Sequence, residues 1–175
     1  MVKNFSLVFR EGGHANSLGR AAEVIETVLN DKSRLNEVYA CMFDDDAWVL
    51  MRASDAMEKI CREHPKWLDP YIDKFIKELS GSTQASILWH LAQIYAQVEL
   101  TDYQREFVIN WLKTLISTKE VDWIVSANTM DTLAKFTDDG YLKKDDFINL
   151  LKIQESHKSR TISKRASKYL VFYTD

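Results

Sequence analysis

The 175-residue sequence predicts an all-α fold in which pairs of helices stack in series, an α-solenoid. Segments that begin at residues 46, 84, 122 and 159 align with one another at spacings of 38, 38 and 37 residues. Repeats of about this length are typical of solenoids, because each unit buries its apolar face against its neighbours. Five glycines and two prolines are few for this length and favour long helices over many turns.

The repeating segment is an amphipathic helix, which is clearest in residues 46–60. Its apolar residues follow the i, i+4, i+7, i+8, i+11 spacing of one helix face. They are Val49, Ala53, Ala56, Met57 and Ile60. Apolar residues recur in the same columns of the other three copies, so we expect four similar helices that each bury one side.

A second amphipathic helix precedes each copy, so the repeating unit is a helix pair. Its apolar residues are Leu35, Val38, Tyr39 and Met42, then Ile72, Phe75, Ile76 and Leu79, then Val108, Trp111, Leu112 and Leu115, and finally the less complete set Phe147, Ile148 and Leu151. Residues 17–30 are expected to form a helix that caps the open end of the stack. Residues 1–16 are expected to be an irregular lead-in, and residues 17–175 a single domain.

Capping and turn residues fall where the helices should end. Breaks are expected near residues 31, 44–46, 65–67, 81, 100, 119, 139 and 157. Thr101 and Gln104 form a capping-box pattern, and Gly81 and Gly140 suit turns after helices. The run Asp44, Asp45 and Asp46 precedes an apolar stretch, where carboxylates cap free N–H groups.

The start of the second helix resembles the HEAT-repeat family, and the resemblance covers about residues 31–173. The family favours an Asp at this point and an Arg six residues later, and Asp46 and Arg52 match that pair. In the other copies the pair is incomplete. The resemblance implies a right-handed α-α superhelix of about four helix pairs plus an N-terminal capping helix, with the second helices on the concave side.

The bulk composition is that of an ordinary globular protein and excludes several classes. A net charge of −3 provides no overall attraction to nucleic acid or to an anionic membrane. No apolar run approaches the ~20 residues that span a bilayer, and two cysteines make no disulfide framework. We therefore expect a cytoplasmic protein that binds no membrane.

Candidate chemical sites are weak in this sequence. The three aspartates lack the further ligands and the turn glycine of a calcium loop. Cys61 and His64 are three residues apart, but a structural zinc site needs four ligands. Residues 12–20 could hold an anion at a helix start, yet they lack the Lys-Ser/Thr pair of a phosphate loop. No catalytic residue, metal or cofactor is assigned.

The solvent-facing side of the second helices carries more large apolar residues than a soluble surface usually does. We expect this concave face to bind a partner, and its candidate residues are Trp48, Met51, Asp55, Trp89, Gln93, Ile124 and Asp131. Packing between neighbouring helices could equally account for the tryptophans.

The last helix is basic. Its cations are Lys158, Arg160, Lys164, Arg165 and Lys168, and they leave −8 on the rest of the chain. A polar end cap explains them, because terminal repeats need a polar outer face. The alternative is a dock for an acidic partner or for nucleic acid.

Two functions follow from the resemblance. The first is a non-enzymatic HEAT-type adaptor or scaffold that binds a partner protein or peptide on its concave face. The second is a HEAT-like DNA-binding enzyme that resembles the DNA alkylation-repair glycosylases, with Trp48, Trp89 and Asp55 or Asp131 in the cleft. Duplex binding needs many Lys and Arg contacts, and the concave residues of the first three repeats are acidic or neutral. Nucleic acid is therefore the less expected partner.

Overall fold

The computed structural model describes residues 4–13 and 17–174, which form helices and turns and contain no strand. The α-helices are α1 (Phe5–Arg10), α2 (Ala21–Asn30), α3 (Leu35–Cys41), α4 (Ala47–Glu63), α5 (Ile72–Lys74), α6 (Ala85–Tyr95), α7 (Asp102–Leu115), α8 (Trp123–Asp138), α9 (Lys144–Gln154) and α10 (Arg160–Thr174). A 3-10 turn, Lys32–Arg34, leads into α3. A longer one, Pro65–Tyr71, leads into α5, which continues as the π-helical turn Phe75–Leu79. Within the described ranges, no helix is both long enough and apolar enough to cross a membrane.

The helices form the predicted two layers of a solenoid. Helices α4, α6, α8 and α10 pack in succession to make one layer, and α3, the α5 segment, α7 and α9 make the other. The five apolar positions of the first copy, Val49, Ala53, Ala56, Met57 and Ile60, are fully buried. Burying a Val, Leu or Ile side chain contributes about 1.5–3 kcal/mol, so the repeated apolar face stabilises the stack. The all-α solenoid prediction is confirmed.

Local chemistry sets the helix ends, as the sequence predicts. The Asp46 carboxylate accepts a hydrogen bond from the backbone N–H of Trp48 at 2.9 Å, and Asp122 caps α8 in the same way. Thr101 and Gln104 make the full capping box at the start of α7. Gly140 has φ of +79°, a conformation that glycine adopts without strain. The breaks expected on these grounds are confirmed.

The prediction of an irregular lead-in is wrong for residues 5–10, which form α1. Phe5, Val8 and Phe9 are buried, and α1 packs on α2, α3 and α4. An isolated helix this short is marginal in water; tertiary contacts stabilise it. The Asp44 carboxylate accepts hydrogen bonds from the Ser6 hydroxyl and from the Arg10 guanidinium, both at 2.6 Å. The N-terminal cap is therefore a short helix pair, α1 and α2, and α2 begins at Ala21 and not at residue 17.

Arg52, the arginine of the family's Asp–Arg pair, is fully buried and has partners outside the repeats. Its guanidinium donates hydrogen bonds to backbone carbonyl oxygens of the segment before α2, which belong to Phe9, Glu11, Gly12 and Ser17. Asp46 contacts Arg10 instead, at 3.5 Å. Arg52 thus attaches the N-terminal segment to the first full repeat.

Candidate functional site

The predicted concave residues of α4, α6 and the start of α8 line one groove of about 640 Å³, which we call the central groove. Its walls are Met51, Asp55, Glu58, Lys59 and Arg62 from α4, then Trp89, His90 and Gln93 from α6, then Trp123, Ile124 and Asn128 from α8, with Leu18 from the segment before α2. Five of the seven residues predicted for this face, Met51, Asp55, Trp89, Gln93 and Ile124, lie in it. These five residues lie together because the second helices of successive repeats are evenly spaced and expose the same face.

Trp48 lies beside the central groove and extends its apolar surface. A smaller cavity of about 200 Å³ is lined by Trp48 together with Met51 and Trp89, which also line the central groove. The Trp48 side chain is 40% exposed, and its ring lies 5.1 Å from the Arg52 guanidinium carbon. Trp48, Met51 and Trp89 therefore share one surface, as their columns in the sequence predict.

The apolar side chains of the central groove are walls of the groove and not part of the core. Met51, Trp89 and Ile124 are half-buried, and none of them belongs to the apolar cluster that the described residues form. Had superhelical curvature tucked these side chains between helices, they would pack against that cluster. Their remaining apolar surface faces solvent, where a ligand can cover it.

The charged groups of α4 that line the central groove are paired with one another. Asp55 accepts a hydrogen bond from the Lys59 ammonium at 2.8 Å, and Glu58 accepts one from Arg62 at 2.7 Å. Burial raises the pKa of the Asp55 carboxyl, but the adjacent Lys59 ammonium lowers it, and the pKa lies below its usual range. Asp55 is therefore ionised at neutral pH. The groove is close to neutral overall, because its two carboxylates and two cations balance.

His90 fixes the position of the Trp89 indole. The His90 ring is buried; its Nδ1 lies 2.7 Å from the Ser86 carbonyl oxygen, and its Nε2 accepts a hydrogen bond from the Trp89 indole N–H at 3.1 Å. These partners correspond to the neutral ring with the proton on Nδ1. Asp55 Oδ1 is 3.8 Å from Nε2, which is too long for a hydrogen bond. The histidine thus holds the Trp89 indole in place.

The candidate residues predicted from the sequence omit seven residues of the central groove: Leu18, Glu58, Lys59, Arg62, His90, Trp123 and Asn128. Trp123 is 51% exposed in the first turn of α8, and the equivalent residues of the other repeats are Ala47 and Ala85. Alanine at those two positions does not indicate that this position of the repeat lines a groove. The Asn128 side-chain carbonyl accepts a hydrogen bond from the Gln93 amide at 3.0 Å. Gln93 itself was predicted, and its carboxamide partner extends the polar edge of the groove.

Asp131, by contrast, lies in a neighbouring cavity of about 520 Å³ between α8 and α10, which we call the basic cavity. It is lined by Asp131, Thr161, Lys164, Arg165, Lys168 and Tyr169. Asp131 accepts hydrogen bonds from Arg165 and from the Tyr169 hydroxyl, the latter at 2.7 Å. Lys158 and Arg160 are exposed but do not line this cavity. Three of the five predicted cations, Lys164, Arg165 and Lys168, thus line the basic cavity, whereas Lys158 and Arg160 lie outside it near the start of α10.

The described residues contain no obvious reactive centre. No group of three or more His, Cys, Asp or Glu side chains in that part of the chain could hold a metal ion. Burial raises the pKa of the Cys61 thiol to about 12 and that of the Cys41 thiol to about 11, so neither is an activated nucleophile.

Comparison with known proteins agrees with the repeat pattern. A family model described as a HEAT repeat domain matches residues 14–130, which is more than half of the chain and includes α4, α6 and the first turns of α8. Searches of curated proteins and of solved structures found no match.

Proposed function

Because the chain belongs to the HEAT-repeat family, we propose that it is a non-enzymatic adaptor that binds a segment of a partner protein in the central groove. One observation carries the proposal: Met51, Trp89 and Ile124 line a groove without packing into the core. Aromatic residues and methionine are enriched where proteins meet, and buried aromatic anchors supply most of the binding energy.

The rest of the groove suits a peptide segment. Its volume of about 640 Å³ accommodates a few side chains. Gln93 and Asn128 present carboxamides, which can both donate to and accept from a peptide backbone. The paired charges on α4 leave no strong net field in the groove. The proposal is therefore an apolar anchor in the partner, surrounded by neutral polar contacts.

The alternative function, a DNA-binding enzyme that resembles alkylation-repair glycosylases, has one observation in its favour. Asp55 is ionised and lies in the same groove as Trp89, with Trp48 close by. Against it, the two groove cations, Lys59 and Arg62, are occupied by Asp55 and Glu58. Duplex binding draws most of its affinity from cations that are free to contact phosphates. The charge distribution of the groove therefore favours the adaptor.

The proposal is tested by capturing the partner at the groove. A photo-crosslinking amino acid at Trp48 should give discrete crosslinked species in the native lysate. The same group at Tyr103, which is 77% exposed on α7 in the other layer, is the matched control and should not give them. Identical crosslinks from the two positions would contradict the proposal.

With the captured partner in hand, Trp89→Ala measures the energy of the anchor. Truncating a central aromatic anchor costs about 2 kcal/mol or more of binding, roughly thirtyfold in Kd. The melting temperature should change little, because Trp89 lies outside the core. Tyr103→Ala should change neither quantity. A large loss of stability in Trp89→Ala with unchanged affinity would show that Trp89 supports the fold and not the ligand.

A further inference from the structure

The basic cavity contains two cations that form no ion pair with any described residue. Lys164 and Lys168 are exposed, lie one turn apart on α10 and line the cavity, and neither forms an ion pair with a described residue. Arg165 differs, because Asp131 neutralises it. An end cap needs polar residues, but it does not need two free ammonium groups directed into a cavity of about 520 Å³.

We propose that the basic cavity binds an acidic segment of the same partner whose apolar anchor occupies the central groove. The inference deepens the proposed function and rests on it. It assigns the partner a chemistry and a direction: apolar residues toward α4 and α6, and carboxylates toward α10. Lys164 and Lys168 contact the carboxylates, and the Thr161 hydroxyl, which also lines the cavity, can donate to them.

The two cavities lie on one continuous face. Ile124 and Asn128 of α8 line the central groove, and Asp131 of the same helix lines the basic cavity. The three positions are spaced i, i+4 and i+7, the spacing of a single helix face. A segment that follows the concave side therefore passes from one cavity to the other across α8.

The helix spacing sets the length of that segment. Packed helices lie about 8–10 Å apart, so two steps from α6 to α10 span about 18 Å. An extended chain covers about 3.3 Å per residue, so the apolar anchor and the carboxylates should be separated by about six residues. A much shorter link cannot reach both cavities.

An acidic peptide fits the basic cavity better than a nucleic acid does. Two free lysines are too few for a nucleic acid, because nucleic-acid affinity comes from many phosphate contacts. The chain outside the five cations at residues 158–168 carries −8, so this end of the molecule attracts an acidic segment more strongly than the rest of the chain does.

The probe that tests the inference is a labelled peptide with three parts: Trp-Leu, a Gly-Ser linker of six residues and three glutamates. Fluorescence anisotropy compares it with Trp-Leu plus linker alone, with linker plus glutamates alone, and with a version whose linker is one residue. Linking two ligands raises affinity only when the linker can span both sites. The six-residue probe should bind at least tenfold more tightly than either half and than the one-residue version. Equal affinities for the two linker lengths would overturn the inference.

Two charge reversals of equal size locate the acidic half. Lys164→Glu with Lys168→Glu should lower the affinity of the six-residue probe about tenfold, to that of the apolar half, since exposed ion pairs each contribute modestly. Lys158→Glu with Arg160→Glu makes the same change in charge outside the cavity and should leave the affinity nearly unchanged. A similar loss in both double variants would mean that overall charge acts and not the cavity, which overturns the inference.

The remaining variants and a DNA competitor distinguish a failure of this inference from a failure of the proposed function. Lys164→Gln with Lys168→Gln removes the two positive charges without placing carboxylates beside Arg165, so it should lower the affinity of the six-residue probe less than the charge reversals do. A loss of affinity that follows the size of the charge change in this way does not come from misfolding.

Trp89→Ala should reduce the affinity of the protein for the six-residue probe to that of the acidic half of the probe. If Trp89→Ala has no effect while the lysine variants do, the proposed function fails and the basic cavity stands alone. If a 12-base-pair DNA duplex binds more tightly than the probe and displaces it, the cavity recognises phosphates and the inference is wrong.

Discussion

Replacing Arg52 with methionine tests how the N-terminal segment is attached to the repeats. The substitution keeps most of the apolar stem but removes every donor that reaches the lead-in. Three of those hydrogen bonds are well formed, to the carbonyl oxygens of Phe9, Gly12 and Ser17, and a fourth to Glu11 is long at 3.4 Å. A hydrogen bond from a charged donor contributes about 1.5 kcal/mol or more. Three such bonds predict a loss of about 4.5 kcal/mol in the free energy of unfolding.

The loss should be concentrated at one end of the molecule. Urea unfolding followed by circular dichroism gives the total, and hydrogen exchange of peptides from residues 5–20 and from α8 gives its distribution. Exchange should accelerate strongly in the first peptide and little in the second. Arg160→Met, at an exposed arginine that forms no ion pair with the described residues, is the control and should change the free energy by less than about 0.5 kcal/mol. If Arg52→Met unfolds like the control and exchange in residues 5–20 is unchanged, the assigned role of Arg52 is wrong.

Two further predictions concern Gly19 and the two buried cysteines. Gly19→Ala should destabilise the protein by about 1–3 kcal/mol, because Gly19 has φ of +50° and a Cβ there would lie 2.7 Å from the Arg52 guanidinium carbon; Gly81→Ala, which meets no atom within 4 Å, is the control and should be nearly neutral in thermal unfolding. Cys41 and Cys61 should react with iodoacetamide at pH 8 far more slowly in the folded protein than in urea, because burial raises both thiol pKa values. Rapid labelling of the folded protein, detected by mass spectrometry, would contradict the assigned burial.

The features that the sequence predicts well depend on neighbours in the chain. Asp46 caps α4 because its carboxylate needs only the N–H group two residues later. The Thr101 and Gln104 box works over three residues in the same way. The buried columns follow from the helix period and from the 38-residue repeat. Local capping and periodicity are enough to place the helices of the repeats and to decide which face of each is buried.

The features that the sequence predicts poorly depend on distant contacts. The helix α1 is stabilised by packing and by Asp44, whose partner Ser6 is 38 residues away. Arg52 bonds to carbonyl oxygens 35 to 43 residues away. Asp131 occupies the same column as Asp55 and Gln93, but it is one helix further along, so it lines the next cavity. Equivalent positions in the repeats identify the exposed face correctly, but they do not show which two helices enclose each cavity on that face.

The N-terminal wall of the central groove is built from outside the repeats, and this connects the fold to the proposed function. Leu18 lines the groove, and the carbonyl oxygen of the preceding Ser17 is bonded to Arg52 at 2.9 Å. The Arg52 guanidinium also lies over Trp48. One buried arginine therefore positions two apolar parts of the binding surface, although it lines neither cavity. The repeats supply the anchors Met51 and Trp89, and the N-terminal segment closes the groove beside them. Weakening that attachment should reduce the affinity of the groove even where Met51 and Trp89 are intact, because a mobile Leu18 must be ordered again when a ligand binds.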